Sequence, residues 1–295
     1  MDSALASVAL PAALAVVMFG LGLLLTVDDF VRVTRRPRAA VVALGLQLLV
    51  LPALCFGLVT AVGLEPVLAV GMVLLAASPG GTTANLFSHL FRGDVALNVS
   101  LTAVNSLLAV VTLPLVTNVA VTVFDPPDAG SIGLQFGKTV QVFAIVLVPV
   151  ALGMLVRRSA PASADRADRP VRVLSAVVLA LVIVGTVVAE RENVAGYLRE
   201  VGLVALAFCA VSLLVGFAVP RALGVGHRQA VACAFEIGVH NSTLAITVAI
   251  SVLGSVQLAV PAAVYGVLMF PVAAVFGWAI TRSARRPAGE PVTTA

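Results

Sequence analysis

Glu236 stands in the mostly apolar stretch VACAFEIGVHNSTLAITVAI, while the rest of the 14 acidic residues fall in polar breaks or near the chain ends. A carboxylate in hydrocarbon costs roughly 2.5–3.5 kcal/mol on insertion scales, so keeping one there marks a binding or coupling role by default. The bland alternative is a protonated acid hydrogen-bonded to a neighbouring helix. A second polar set, Asn98, Thr102 and Asn105, recurs at i, i+4 and i+7 and so occupies one helical face. With Asn85 and the Thr82/Thr83 pair it offers neutral oxygens, to which Glu236 adds one negative charge. Hard cations prefer oxygen ligands. A single carboxylate suits a monovalent ion such as Na⁺, because calcium and magnesium sites usually gather more carboxylates. The same amides serve equally well as hydrogen-bonding glue between helices.

Further candidates lie close by. Asn241 and Ser242 follow a glycine interruption, where the exposed N–H groups of a half-helix favour an anionic group on a solute, such as a carboxylate. Gln47, alone and polar in its stretch, reads either as another ligand or as a satisfied buried amide. His240 fits three roles: a proton-coupling group, a solute contact or a neutral core histidine. His89 and His227 read as loop or interface residues, and no Cys/His spacing suits zinc. The sequence holds no HExxH, GxSxG, P-loop or strand-borne GxGxxG signature, so enzymatic readings, including ATP hydrolysis by the chain itself, find no support.

The elements that must position these residues are membrane helices. Of 295 residues 60% are hydrophobic and 11% charged, and the mean hydropathy is +1.11; soluble domains carry roughly 25% charged residues. Apolar runs between charged breaks predict about nine spans, near 6–26, 39–60, 66–91, 95–124, 136–156, 173–189, 201–220, 229–253 and 258–281. The start, Met1-Asp2, lacks a basic n-region and is read as the first span rather than a secretory signal; residues 287–295 are expected to be a disordered tail. The loops carrying Arg32, Arg35, Arg36, Arg38, Arg92, Arg157, Arg158, Arg166, Arg169, Arg172, Arg221, Arg228, Arg282, Arg285 and Arg286 all fall on one side. Lys138, Arg191 and Arg199 share the other with most of the loop acids. The positive-inside rule then puts the N-terminus outside and the C-terminus in the cytoplasm. This topology, not nucleic acid binding, accounts for the net charge of +4. Cys55, Cys209 and Cys233 fall within spans and are expected to be buried thiols. The Ala/Val/Gly and arginine bias points to a GC-rich bacterial genome and hence to the bacterial inner membrane.

Two spans are interrupted at their middles, by Ser78-Pro79-Gly80-Gly81 and by Glu236-Ile237-Gly238-Val239-His240. Broken backbone in hydrocarbon is tolerated only where protein or a water-filled cavity satisfies it, so both breaks should face the interior. They run antiparallel, and each is followed by a span with a late proline, Pro114 and Pro271, a pattern of inverted repeats around a midplane site.

MFGLGLLLTVDDF, LQLLVLP around Gln47, SPGGTTANLFSHLFRGDVALNVSLTAVNSLLAVVTLPL and FEIGVHNSTLAI resemble the bile acid:sodium symporter (BASS) family over most of the chain. The resemblance implies an all-α polytopic membrane protein with panel and core domains, inverted repeats and two broken crossing helices. Here the core is expected near 39–124, 173–189 and 201–253, and the panel near 6–26, 136–156 and 258–281. It implies a first Na⁺ site at Asn85, Asn98, Thr102 and Glu236, with Ala84 where serine is frequent. A second uses Gln47, Glu236, the carbonyls of Ile237 and Val239, and His240; the bile-acid transporters have glutamine at that last position, and imidazole is the poorer ligand for a hard cation. The solute is implied beside Thr82, Thr83 and Asn241, with Ser242 adjoining. The resulting expectation is a sodium-coupled symporter of a small organic anion, acting as a monomer, needing no cofactor beyond Na⁺ as coupling ion. Proton coupling through His240 and Glu236, or a membrane receptor that binds a small acid without moving it, are the alternatives.

Overall fold

The computed structural model describes residues 3–127, 136–189 and 194–283. Twelve helices follow in order among them: α1 Ser3–Leu24, α2 Val27–Arg35, α3 Pro37–Val62, α4 Pro66–Ala77, α5 Thr82–Leu90, α6 Val95–Phe124, α7 Phe136–Ser159, α8 Pro161–Ala189, α9 Val194–Ala222, α10 His227–Gly238, α11 Ser242–Val252 and α12 Val260–Ser283. No strand forms among the described residues. α3 contains a π-helical segment, Leu46–Val50, and α11 ends in another, Val248–Val252.

Among the described residues four helices are long and apolar enough to cross a membrane, Pro37–Val62, Val95–Phe124, Gly196–Ala222 and Gln257–Arg282, and Pro11–Leu24 with Val27–Arg35 makes a fifth if the bent pair is one span. The chain is therefore an all-helical, multi-pass membrane protein. Valines and leucines that a soluble protein would bury, such as Leu49, Leu115, Leu203 and Val275, lie exposed along these helices, the expected face toward lipid.

Local chemistry accounts for the differences from the expected spans. The break carrying Arg32 and Arg35 is helical, because Thr26 and Asp29 form a reciprocal capping box that starts α2 and Pro37 starts the next helix. Its axis bends 65° from α1. α8 starts at Pro161, well before the apolar run, and an Arg157–Asp165 pair at 2.5 Å ties its first turns to α7. The expected tail at 287–295 lies outside the described residues.

Two groupings emerge from the packing. α1 packs most extensively against α7 and α8, where Gly22 and Gly153 meet so closely that a β-carbon on either would strike backbone atoms of the facing helix. α10 and α12 pack against α9, and α4 against α3 and α6. α4 also contacts α12, with Gly71 beneath Leu258 and Pro261.

Candidate functional site

The two interrupted helices meet at their interruptions. After Ala77 the chain is extended at Ser78 and Gly81, and after Gly238 it is non-helical through Val239 to Asn241. Gly80 and His240 face each other as an isolated antiparallel bridge, with the Gly81 amide donating to Val239 O at 3.4 Å and the Asn241 amide to Pro79 O at 2.8 Å. Each break thus supplies partners for backbone groups that the other leaves open, which is how a non-helical segment survives inside a membrane protein. Asn241 then restarts the helix, its side-chain oxygen accepting from the Leu244 amide at 3.0 Å.

Glu236 sits fully buried in the last turn before the second break. Its Oε2 accepts from the Thr102 hydroxyl at 2.5 Å and its Oε1 from the Asn105 amide at 2.9 Å. The i, i+4, i+7 face of α6 therefore points at this carboxylate. Asn98 donates to Ala232 O at 2.8 Å, holding α6 to α10. The side-chain oxygens of Asn98 and Asn105, and both polar atoms of Asn85, are buried without a hydrogen-bond partner. No cationic side chain pairs with Glu236 among the described residues. A buried carboxylate without an opposite charge is strongly disfavoured, and carbonyl oxygens left open beside it match the ligand demand of a hard monovalent cation. Gly80 closes over this group so tightly that a β-carbon there would lie 2.6 Å from Glu236 Cδ and Oε2.

A second polar group lies at the same crossing. Gln47, on the π-helical segment of α3, donates to Ala76 O at 3.2 Å and Ser78 O at 3.0 Å. His240 Nδ1 is 3.0 Å from the same Ser78 carbonyl, so Nδ1 carries a proton and, in the neutral ring, Nε2 has a lone pair. Gln47 Oε1 and His240 Nε2 have no partner. The imidazole is stacked on Phe208 at 5.7 Å and meets the edge of Tyr265 at 5.5 Å.

Of the residues picked out from the sequence, hydrogen bonds tie Glu236 to Thr102, and Gln47 and His240 to Ser78 O. Asn85 and Ala84 lie buried on α5, and Ala84 brings only a methyl group. Thr82 and Thr83 begin α5 half-buried, and the Ser242 hydroxyl is buried and unpartnered. Asn105, noted for its face but outside the implied ligand sets, contacts the carboxylate directly. Tyr265 gave no signal at all, since an isolated tyrosine in an apolar helix has no spacing partner; its hydroxyl donates to Gly238 O at 2.9 Å.

Comparison with known proteins gives the family. Residues 11–197, from α1 into α9, match the Sodium Bile acid symporter family. The chain is 28% identical over 254 residues to the uncharacterized sodium-dependent transporter YocS of Bacillus subtilis (strain 168), covering 86% of this chain and 77% of that protein. It is 29% identical over 262 residues to the probable chloroplastic sodium/metabolite cotransporter BASS1 of Arabidopsis thaliana, covering 86% of this chain and 62% of that longer protein. It is 26% identical over 247 residues to the ileal sodium/bile acid cotransporter of Homo sapiens, covering 83% and 70%. These relatives are transporters rather than enzymes. With more than half of its length matched, the chain belongs to the Sodium Bile acid symporter family.

Proposed function

We propose that the protein is a secondary symporter that couples the Na⁺ gradient to movement of a small organic anion by alternating access. The observation that carries this is the buried Glu236 carboxylate, held by Thr102 and Asn105 beside open amide oxygens and without a cationic partner. A first Na⁺ is held by Glu236 and Thr102 with the side-chain oxygens of Asn85, Asn98 and Asn105; Asn105 supplies the oxygen that Ala84 cannot. A second lies toward Gln47 and the carbonyls of Ile237 and Val239, with His240 Nε2 as its weaker ligand. The anion, a bile-acid-like, pantoate-like or keto acid, meets Thr82, Thr83, the Asn241 side chain and Ser242, where N–H groups begin α5 and α11. Nine spans place the N-terminus outside and the C-terminus inside a bacterial inner membrane. Packing supports a panel of α1, α7 and α8 moving against a core of the crossing helices with α9 and α12. Relative to the sequence expectation, 173–189 joins the panel and 258–281 the core.

In proteoliposomes, Glu236→Gln is expected to abolish sodium-driven uptake while reconstitution and the melting temperature in choline stay at the wild-type level. The anion is first found by thermal shift across small carboxylates with and without Na⁺, since a ligand that stabilises only with sodium identifies both by linkage. Full sodium-driven uptake by the variant sinks the assignment. Uptake driven by a pH gradient without sodium points instead to proton coupling, and binding without counterflow points to a receptor.

A further inference from the structure

The last carbonyls of α10 lose their intrahelical partners where the helix stops at Gly238, and their fates differ. Phe235 O takes the Val239 amide at 3.0 Å, and Val239 O takes the Gly81 amide. Gly238 O takes two donors from other helices, the Tyr265 hydroxyl at 2.9 Å and the Cys209 thiol at 3.7 Å. Among the described residues no hydrogen bond reaches the carbonyl oxygens of Glu236 or Ile237. These two open acceptors lie in the same turn as the Glu236 carboxylate. The turn cannot shift toward α9, because even a β-carbon on Gly238 would come 2.5 Å from Leu213 Cδ2.

We propose that Tyr265, assisted by Cys209, is a positioning residue for cation binding. Clamping the Gly238 carbonyl from α12 fixes the terminal turn of α10, so that the Ile237 carbonyl stays open toward the ion. Tyr265 is fully buried and reaches this turn from α12, whereas the side chains that hold Glu236 itself come from α6. A phenol is the stronger donor and a thiol a weak one, so the tyrosine carries most of the effect. Without it, Gly238 O keeps only the weak thiol donor of Cys209, and the turn gains a reason to rotate that carbonyl into the site. The inference rests on the sodium-symport reading.

The test uses the purified full chain and Na⁺ itself as probe, with choline as the replacement salt. Half-saturating Na⁺ is read from radiolabelled sodium binding and from sodium-induced rise in melting temperature. Tyr265→Phe is expected to raise half-saturation roughly three- to tenfold, the range set by one hydrogen bond. Cys209→Ala is expected to raise it less, and Cys209→Ser to fall below Cys209→Ala, because a hydroxyl restores a donor to the same carbonyl. A Tyr265→Phe protein that melts lower in choline but binds Na⁺ with wild-type half-saturation overturns the proposal, leaving the tyrosine a packing residue. If Tyr265→Phe does not fold, equal half-saturation for Cys209→Ala and Cys209→Ser overturns it. A Glu236→Gln protein that keeps the wild-type sodium response removes the symport reading instead, a result distinguishable from either.

Discussion

Around Glu236 the decisive quantities are space and unpaired oxygens. Gly80 is one of the positions where only hydrogen fits, since a β-carbon would stand 2.6 Å from the carboxylate. Gly80→Ala is therefore expected to push Glu236 off Thr102 and Asn105 and to weaken Na⁺ binding about tenfold or more, the scale of a tightly packed site made to accept one extra carbon. Titration of the melting temperature with sodium checks this; an Ala variant with wild-type sodium response would show that the carboxylate is not the ion's anchor. Much at this scale was legible from sequence. The isolated acid in an apolar run and the polar face at i, i+4 and i+7 were both readable, and the structure brings Thr102 and Asn105 of that face onto Glu236. Tyr265 and the Gly80 contact were invisible, because each depends on a partner far along the chain and neither residue type is unusual where it stands.

Glycine and proline told where two helices break, but not that the breaks pair with each other through Gly81, Val239, Pro79 and Asn241. Pairing of that kind is set by tertiary approach and leaves no local pattern. Likewise the α2 helix was missed because its apolar run is short, although Thr26 and Asp29 carried its cap in plain view. A second element-scale tie joins the start of α4 to the turn before α12, where Gln257 donates to Glu65 Oε2 at 3.1 Å. Burial, and secondarily the nearby Glu200 carboxylate, raise the Glu65 acid above its ordinary value. For an acid so raised, the protonated form favours the folded state. Its stabilisation is fully present below the ordinary carboxylate value and is lost as pH rises through the raised one. The melting temperature should accordingly drift down as pH climbs through the window just above that ordinary value. Glu65→Gln, which keeps an oxygen for Gln257, should flatten the drift, and equal slopes for the two proteins would assign it to other groups.

For the whole molecule, the proposed alternating-access cycle requires that the two groupings move against each other while the proposed ion site stays intact. α1 packs rigidly on α7 through the glycine contact at Gly22 and Gly153, yet also touches α11, including its π-helical end Val248–Val252. In the proposed division, that second contact is the seam where one body meets the half-helix that restarts after the second break. π-helical turns tolerate local rearrangement better than a regular helix and recur at functional sites. A disulfide placed across this seam, between α1 and Val248–Val252, tests the division directly. The native thiols Cys55, Cys209 and Cys233 are free and buried, so the background carries Ser at position 209, to keep a donor on Gly238 O, and Ala at the other two. In proteoliposomes the oxidised protein should lose anion uptake, retain sodium-induced thermal stabilisation, and recover uptake on reduction. Uptake that continues with the cross-link closed would mean that the seam does not open during the cycle, and the moving boundary would then lie between other helices.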